Sequence, residues 1–364
     1  MIHVVLGTKA QLVKMAPVMA RMAERRVPYR LIHTGQHQAT MDEMLREFRL
    51  REPDVRLHTG SDIVSAPRMA VWFARVLYRC VTEPEAVFGS DRTGIVLAHG
   101  DTFSTLLGAL MGRVAGMRVA HVESGLRSFR LLDPFPEELT RLAVFRLSHL
   151  LLCPGEWAVR NVSHLGRDTV DTGANTLVDT VSLALGNVRR RDHVPVGEYA
   201  VASIHRYENI FRREAFGRLV QAVELLAVGR KVLFVLHPPT ERQLRRYGLD
   251  VRLRANSMVE LRPRYAYFDF LTLIENAQFI ATDGGSIQEE TSYLGVPCLL
   301  LRRSTERQEG LGANVCLSGL EPDIIREFAG TFERWRRSPR VPSVRPSDRI
   351  IDALVARLGK GPQN

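Results

Sequence analysis

The chain is poor in lysine. Only four of its 50 basic residues are lysines, at positions 9, 14, 231 and 360; the rest are arginines. Cysteine is scarce as well. The four, Cys80, Cys153, Cys298 and Cys316, include no C-x-x-C pair. That excludes the usual spacing of a zinc ribbon, and Cys153 and Cys298 stand in apolar, strand-like runs as expected of buried thiols. Free thiols fit a reducing cytoplasm. No apolar run approaches the ~18 residues of a membrane span. The opening MIHVVLG has no basic leader and reads as a first strand, not a signal peptide. Absent too are G-x-G-x-x-G, a Walker lysine and H-E-x-x-H.

The net charge of +10 is large enough to attract nucleic acid. Yet the arginines are scattered, and the densest run, at 189–191, is not interleaved with aromatics. A solvated arginine-rich surface, or an anionic small substrate, accounts for the same count. The expected partners therefore include neither nucleic acid nor a membrane.

What is present is alternation. Apolar runs at 3–7, 30–35, 95–101, 118–124 and 149–155 alternate with amphipathic stretches such as 11–25 and 103–116. Strands that alternate with helices predict crossover units and a mostly parallel sheet. After a polar seam at 186–198 the pattern restarts, with strand candidates at 199–205, 231–238, 258–263, 278–284 and 296–302. At 364 residues two domains are expected. The fold class is α/β, with two Rossmann-like doubly wound domains and a cleft between them. The first domain is placed at 1–175 and the second at 176–345. A last helix, within 346–364, is expected to pack back on the first domain.

Ligands of open α/β sheets bind beyond the carboxyl ends of the strands. The polar segments of this chain fall at those ends. Asp101 ends one strand, Glu123 ends the next, and Glu137 opens a helix behind PFP. Crowded carboxylates raise one another's pKa, so one can hold a proton while another accepts one. Helix capping is the plainer role for Glu137. A divalent ion on His99-x-Asp101 and His121-x-Glu123 is a further alternative, without a compact motif to support it; no metal is expected.

In the second half, His205, Arg206, His237, Arg302, Arg303 and Arg307 bring cations or imidazoles to strand ends. Facing them, Gly284, Gly285 and Ser286 stand where a strand hands over to a helix. There the first amides have no internal partner and suit a phosphate. Glu290, a turn deeper, can accept from the two hydroxyls of a ribose. Amides and a carboxylate spaced this way fit a nucleoside diphosphate. Tyr267 and Phe270 can stack on its base or serve as plain core.

These segments resemble a known family, the non-hydrolysing UDP-N-acetylglucosamine 2-epimerases. The matching stretches are GTKAQLVKMAPV, TGQH, HGDT, HVESGLRS, PFPEELTR, the HR of SIHRYEN, TDGGSIQEE with LGVP, and STERQE, in family order from about 7 to 319. The resemblance implies a glycosyltransferase-B-like fold and a homodimer. It implies interconversion of UDP-GlcNAc and UDP-ManNAc with no cofactor, by elimination of UDP to a 2-acetamidoglucal and re-addition. It implies acid/base or sugar-contacting roles for Asp101, Glu123 and Glu137, and support of the leaving diphosphate by His205. Lys14, His237, Gly284, Gly285, Ser286, Glu290 and Arg307 would line the nucleotide site. Arg141 would touch phosphate or glycal, Tyr267 and Phe270 uracil, and Lys9 a phosphate.

Three departures stand out. Lys9-Ala10-Gln11 replaces the family's R-P-E, Gly284-Gly285-Ser286 replaces S-G-G, and Tyr207 replaces the second arginine of H-R-R-E. Tyr207 and Gln38 touch the region where bacterial members bind a second UDP-GlcNAc as activator, so Gln36, His37 and Arg206 are candidate regulatory residues. A hydrolysing epimerase, releasing ManNAc and UDP, and an epimerase of a related UDP-sugar are the alternatives.

Overall fold

The computed structural model describes residues 1–38, 41–63, 65–90, 93–131, 135–186, 192, 194–305 and 307–358. The arginine run 189–191, Pro134 of PFPEELTR, Glu306 of STERQE and the end of the last helix expected within 346–364 lie outside the described residues. The chain divides into two compact units. One is Met1–Thr180 with Pro342–Asn364, the other Val181–Val341.

In the first unit the described residues form a seven-stranded sheet. Its strands are β1 (Ile2–Leu6), β2 (Tyr29–His33), β3 (Val55–Arg56), β4 (Ile95–His99), β5 (Arg118–Val122), β6 (Leu150–Cys153) and β7 (Asp168–Asp171). The order is β3-β2-β1-β4-β5-β6-β7, and each neighbouring pair is parallel. β1 and β4 are buried along their whole length, which is why they read as unbroken apolar runs. The core below them includes Val5, Ile32, Trp72, Phe88, Val96 and Met111.

The order reverses between β1 and β4. The chain leaving β1 enters helix Lys9–Glu24, with Thr8 and Gln11 forming a capping box. The chain leaving β4 enters helix Phe103–Val114, boxed in the same way by Thr102 and Thr105. Gln11 joins the two turns: its Nε2 donates to His99 O at 2.8 Å and to Thr105 Oγ1 at 3.0 Å. Gly7 must be glycine here, because a Cβ would stand 2.0 Å from Thr34 Oγ1 and 2.1 Å from Ser104 Oγ.

The second unit has a six-stranded sheet among its described residues, in the order β10-β9-β8-β11-β12-β13. The strands are β8 (Tyr199–Ser203), β9 (Lys231–Leu236), β10 (Val259–Pro263), β11 (Ile280–Thr282), β12 (Cys298–Leu300) and β13 (Val315–Leu317), again all parallel. Phe216, Phe234, Phe279 and Phe328 fill its core. Its reversal lies between β8 and β11.

The chain passes between the units twice, at 180/181 and at 341/342. Both passages are tied at one place in the first unit. Asp179 Oδ2 accepts from Ser347 N at 2.8 Å and from its Oγ at 2.5 Å. Thr180 Oγ1 donates to Val13 O at 2.8 Å. Helix Pro346–Val355 then packs on helix Lys9–Glu24, where Arg21 pairs with Asp348 and Arg25 with Asp352. Arg357 clamps Asp168 of β7 through Nε and Nη2 at 2.5 and 2.7 Å. Among the described residues no helix is long and apolar enough to cross a membrane.

Candidate active site

Both reversal points carry the residues that the sequence marks for chemistry. In the first unit Glu123 follows β5 with φ +67°, in the left-handed region that costs a side-chain-bearing residue. The turn is held by the side chain. Glu123 Oε1 accepts from Lys14 Nζ at 2.5 Å and from Asn175 Nδ2 at 2.6 Å. Glu123 and Lys14 are both buried. Removing a buried pair from water is costly unless each charge is matched, and here each faces its opposite. Lys14, expected at the nucleotide, is a counter-charge of this carboxylate.

His99 Nε2 lies 3.5 Å from Glu123 Oε2. Burial pushes the His99 imidazole down to about 3, against the pull of Glu123, so the ring is neutral at pH 7. His121, on β5, is pushed down to about 4 by the same cause. Its Nε2 meets Gly100 O at 2.7 Å and its Nδ1 meets Ser124 Oγ at 2.6 Å. Both rings are within electrostatic reach of Asp101 as well as Glu123. The structure thus brings these two carboxylates around one pair of neutral imidazoles. No group of three His, Cys, Asp or Glu side chains among the described residues is arranged to hold a metal ion.

Asp101 is partly open to solvent and accepts from Arg141 Nη2 at 2.5 Å. Arg141, expected on a phosphate or glycal, is buried and divides itself between Asp101 and Glu138. Glu138 is wholly buried and also accepts from Arg127 Nε at 2.5 Å and Ser128 N at 3.1 Å. These donors hold its carboxyl below the usual range against the opposing effect of burial. Glu137 opens helix Glu137–Leu147, half-buried beside it. Lys9 opens helix Lys9–Glu24.

Gln36 and His37 have structural work. Gln36 Oε1 accepts from Ser104 N and Oγ at 3.1 and 2.7 Å, filling the start of helix Phe103–Val114. His37 N donates to Gly7 O at 2.8 Å, and burial lowers the pKa of its ring.

In the second unit, Asp283 is fully buried and organises the turn after β8. Its carboxylate accepts from His205 N and Arg206 N, each at 3.0 Å, and from Asn209 Nδ2 at 2.8 Å. His205 Nδ1 is 3.7 Å from the same group. The ring of His237 lies 4.6 Å from that of His205, tilted by 36°. Arg206 Nη1 is 3.3 Å from Glu208.

Helix Gly285–Leu294 begins against the His205 ring. A Cβ on Gly284 would stand 2.8 Å from His205 Cε1, so any side chain there would displace the ring. Gly284 N, expected on a phosphate, donates to Thr282 Oγ1 at 3.0 Å. The first helical bond runs from Gln288 N to Gly284 O, so the amides of Gly285, Ser286 and Ile287 precede it. The amides at this helix start that are left over from helical bonding are thus those of Gly285, Ser286 and Ile287. Glu290 is buried and accepts from Tyr267 Oη at 3.0 Å. Tyr267, expected on uracil, spends its hydroxyl there; Phe270 is half-buried on the same helix, Tyr267–Glu275. Glu289 faces elsewhere: it takes Arg307 Nη1 at 2.5 Å and the Tyr293 hydroxyl at 3.2 Å.

The family model described as UDP-N-acetylglucosamine 2-epimerase matches residues 20–342. The chain belongs to this family. A UDP-N-acetylglucosamine 2-epimerase of Methanococcus maripaludis is 31% identical over 339 residues, covering 89% of each chain. The family is not uniform in substrate, since a Pseudomonas aeruginosa UDP-2,3-diacetamido-2,3-dideoxy-D-glucuronate 2-epimerase is 29% identical over 90% of each chain. The crystal structure of the Methanocaldococcus jannaschii UDP-GlcNAc 2-epimerase, in complex with UDP-GlcNAc and UDP, superposes with a TM-score of 0.84 at 26% identity, covering 98% of this chain and 99% of that one. The two parallel sheets are those of the glycosyltransferase-B-like fold of such epimerases.

Four residues that organise the site carried no assigned role in the sequence: Glu138, Asn175, Asp283 and Glu289. Asn175 lay in TGANT, which reads as a turn, and Asp283 was visible only as the residue ahead of two glycines.

Proposed function

We propose that the chain interconverts UDP-GlcNAc and UDP-ManNAc by eliminating and re-adding UDP, without hydrolysis. The observation that carries this reading is the pair of carboxylates held apart in character. Glu123 is buried and accepts from Lys14 and Asn175. Asp101 is partly solvent-open and held by Arg141. A reaction that removes the hydrogen from C2 of a sugar and returns it to the other face needs acceptors and donors of unequal strength.

In the forward direction a carboxylate of the first unit takes the C2 proton. The electron pair of that C–H bond forms the C1–C2 double bond, and the C1–O bond breaks with its electrons leaving on UDP. The product is a 2-acetamidoglucal. Re-addition reverses each step, with the proton delivered to the opposite face. The C2 hydrogen is weakly acidic, so departure of the diphosphate shares the barrier. His205 and the amides of Gly285 and Ser286 stabilise that departing charge, and Glu290 receives the ribose hydroxyls beside Tyr267. His237 and Arg307 complete the nucleotide's surroundings. A homodimer acting in the cytoplasm completes the proposal.

The test is proton NMR of UDP-GlcNAc incubated with the enzyme in D2O. UDP-ManNAc should accumulate with deuterium at C2 in both epimers. Free ManNAc forming at the pace of epimerisation would replace this reading with the hydrolysing one. No deuterium at C2 would remove the elimination itself.

A further inference from the structure

Glu123 Oε1 has two donors of different kinds. One, Lys14, brings a charge; the other, Asn175, does not. Asn175 is buried, 4% exposed, in the segment between β7 and helix Leu177–Gly186. Its side chain works at both ends. Oδ1 accepts from Leu177 N at 3.1 Å, fixing the first turn of that helix. Nδ2 reaches Glu123 at 2.6 Å. The helix so begun runs across the boundary between Thr180 and Val181 into the second unit.

We propose that Asn175 is a positioning residue for Glu123: it fixes one carboxylate oxygen, and with it the left-handed backbone of the turn after β5, from the segment that leads into the second unit. This rests on the reading of Glu123 as a reacting or sugar-contacting carboxylate.

Charged and titratable groups stand around Glu123 on several elements. Lys14 faces it from helix Lys9–Glu24, and neutral His99 from the end of β4. Asp101 beyond β4, His121 on β5 and Arg141 of helix Glu137–Leu147 lie in the next ring outward. Lys14 places a cation on the carboxylate. A cation's attraction tolerates displacement, whereas an amide hydrogen bond demands direction. Asn175 therefore supplies the aim that Lys14 does not. A neutral donor also favours the charged form of Glu123 without adding a second positive charge that would blunt its basicity.

Asn175→Asp separates this role from helix capping. The aspartate keeps an oxygen for Leu177 N, so a cap survives. It loses the donor and sets a second anion against Glu123. In the full chain, kcat for UDP-GlcNAc should fall at least thirtyfold while KM and UDP affinity stay within about threefold. The acid limb of kcat should move up by about one pH unit, because both changes disfavour the ionised carboxylate. Asn175→Ser, whose hydroxyl can cap but is too short to reach Glu123, should also lose kcat and hold KM, and it serves if the aspartate variant does not fold. Wild-type kcat and an unmoved acid limb in a folded Asn175→Asp protein would overturn the proposal. A second readout needs no turnover: carbon-13 NMR of labelled glutamate carboxyls, with Glu123 assigned from Glu123→Gln. The Glu123 resonance should titrate about one pH unit higher in Asn175→Asp, and an unchanged titration overturns the contact. That result stands even if the wild-type chain fails to epimerise, which would instead sink the function proposed above.

Discussion

At the scale of single residues, the site is built from close approaches that admit no alternative atom. Gly284 is one case. Its missing Cβ leaves room for His205 at the start of helix Gly285–Leu294. Gly284→Ala should push the imidazole aside and leave the fold intact, since Gly284 has φ −85°, which alanine adopts readily. UDP affinity measured by calorimetry is expected to drop about tenfold, or about 1.4 kcal/mol. Lys14 gives the contrary lesson. Its charge suggested a phosphate, but burial next to Glu123 assigns it to the protein's own carboxylate. Composition announces that a cation is present; only packing says whose charge it answers. The substitution of Gln11 for the family's glutamate is intelligible in the same terms, because an amide can donate to His99 O while its oxygen accepts from Gly7 N and Thr8 N.

At the scale of elements, what was legible was what is periodic and buried. β1, β4 and β8 are buried throughout and mostly apolar, and announced themselves. The strands missing from the sequence reading are β3, β7 and β13, of two, four and three residues. All lie at sheet edges, and β7 is DTVD with no residue fully buried, so no apolar run marks it. Adjacent acids on a helix set a harder limit. Neighbouring positions point roughly 100° apart, so one of a pair faces the ligand side and its neighbour faces the core. Nothing in the letters EE says which is which. At 137–138 the second is the buried anchor of two arginines, and at 289–290 the first anchors Arg307. The two members of the latter pair should therefore fail differently. Glu289→Gln breaks a buried ion pair and is expected to cost about 3 kcal/mol in urea unfolding. Glu290→Gln should leave the unfolding midpoint nearly in place and weaken UDP binding.

At the scale of the whole molecule, acid should act first on one unit. His33, His99 and His121 all belong to the first unit, and burial pushes them to about 4, 3 and 4 from an ordinary 6.5. The unfolded chain binds protons at these positions as pH falls through 6.5, and the folded chain does not until near 4, or near 3 at His99. Stability is thus complete above about pH 6.5 and is lost progressively between there and pH 4. Carboxylates titrate below most of this window, so the loss from pH 6.5 to 5 belongs to the histidines. Urea midpoints at pH 7 and 5 should differ in this direction, and His99→Gln should shrink the difference; equal midpoints in the wild type would refute it.

The clasp between Asp179 and Ser347 has a consequence of its own. The helix that departs and the helix that comes home are buttoned at one spot, so residues 181–341 are an insertion between two ends joined within the first unit, whose seven strands all precede it. A segment whose two ends are joined outside it can be exchanged like a bit in a drill chuck while the seven-stranded half keeps its shape.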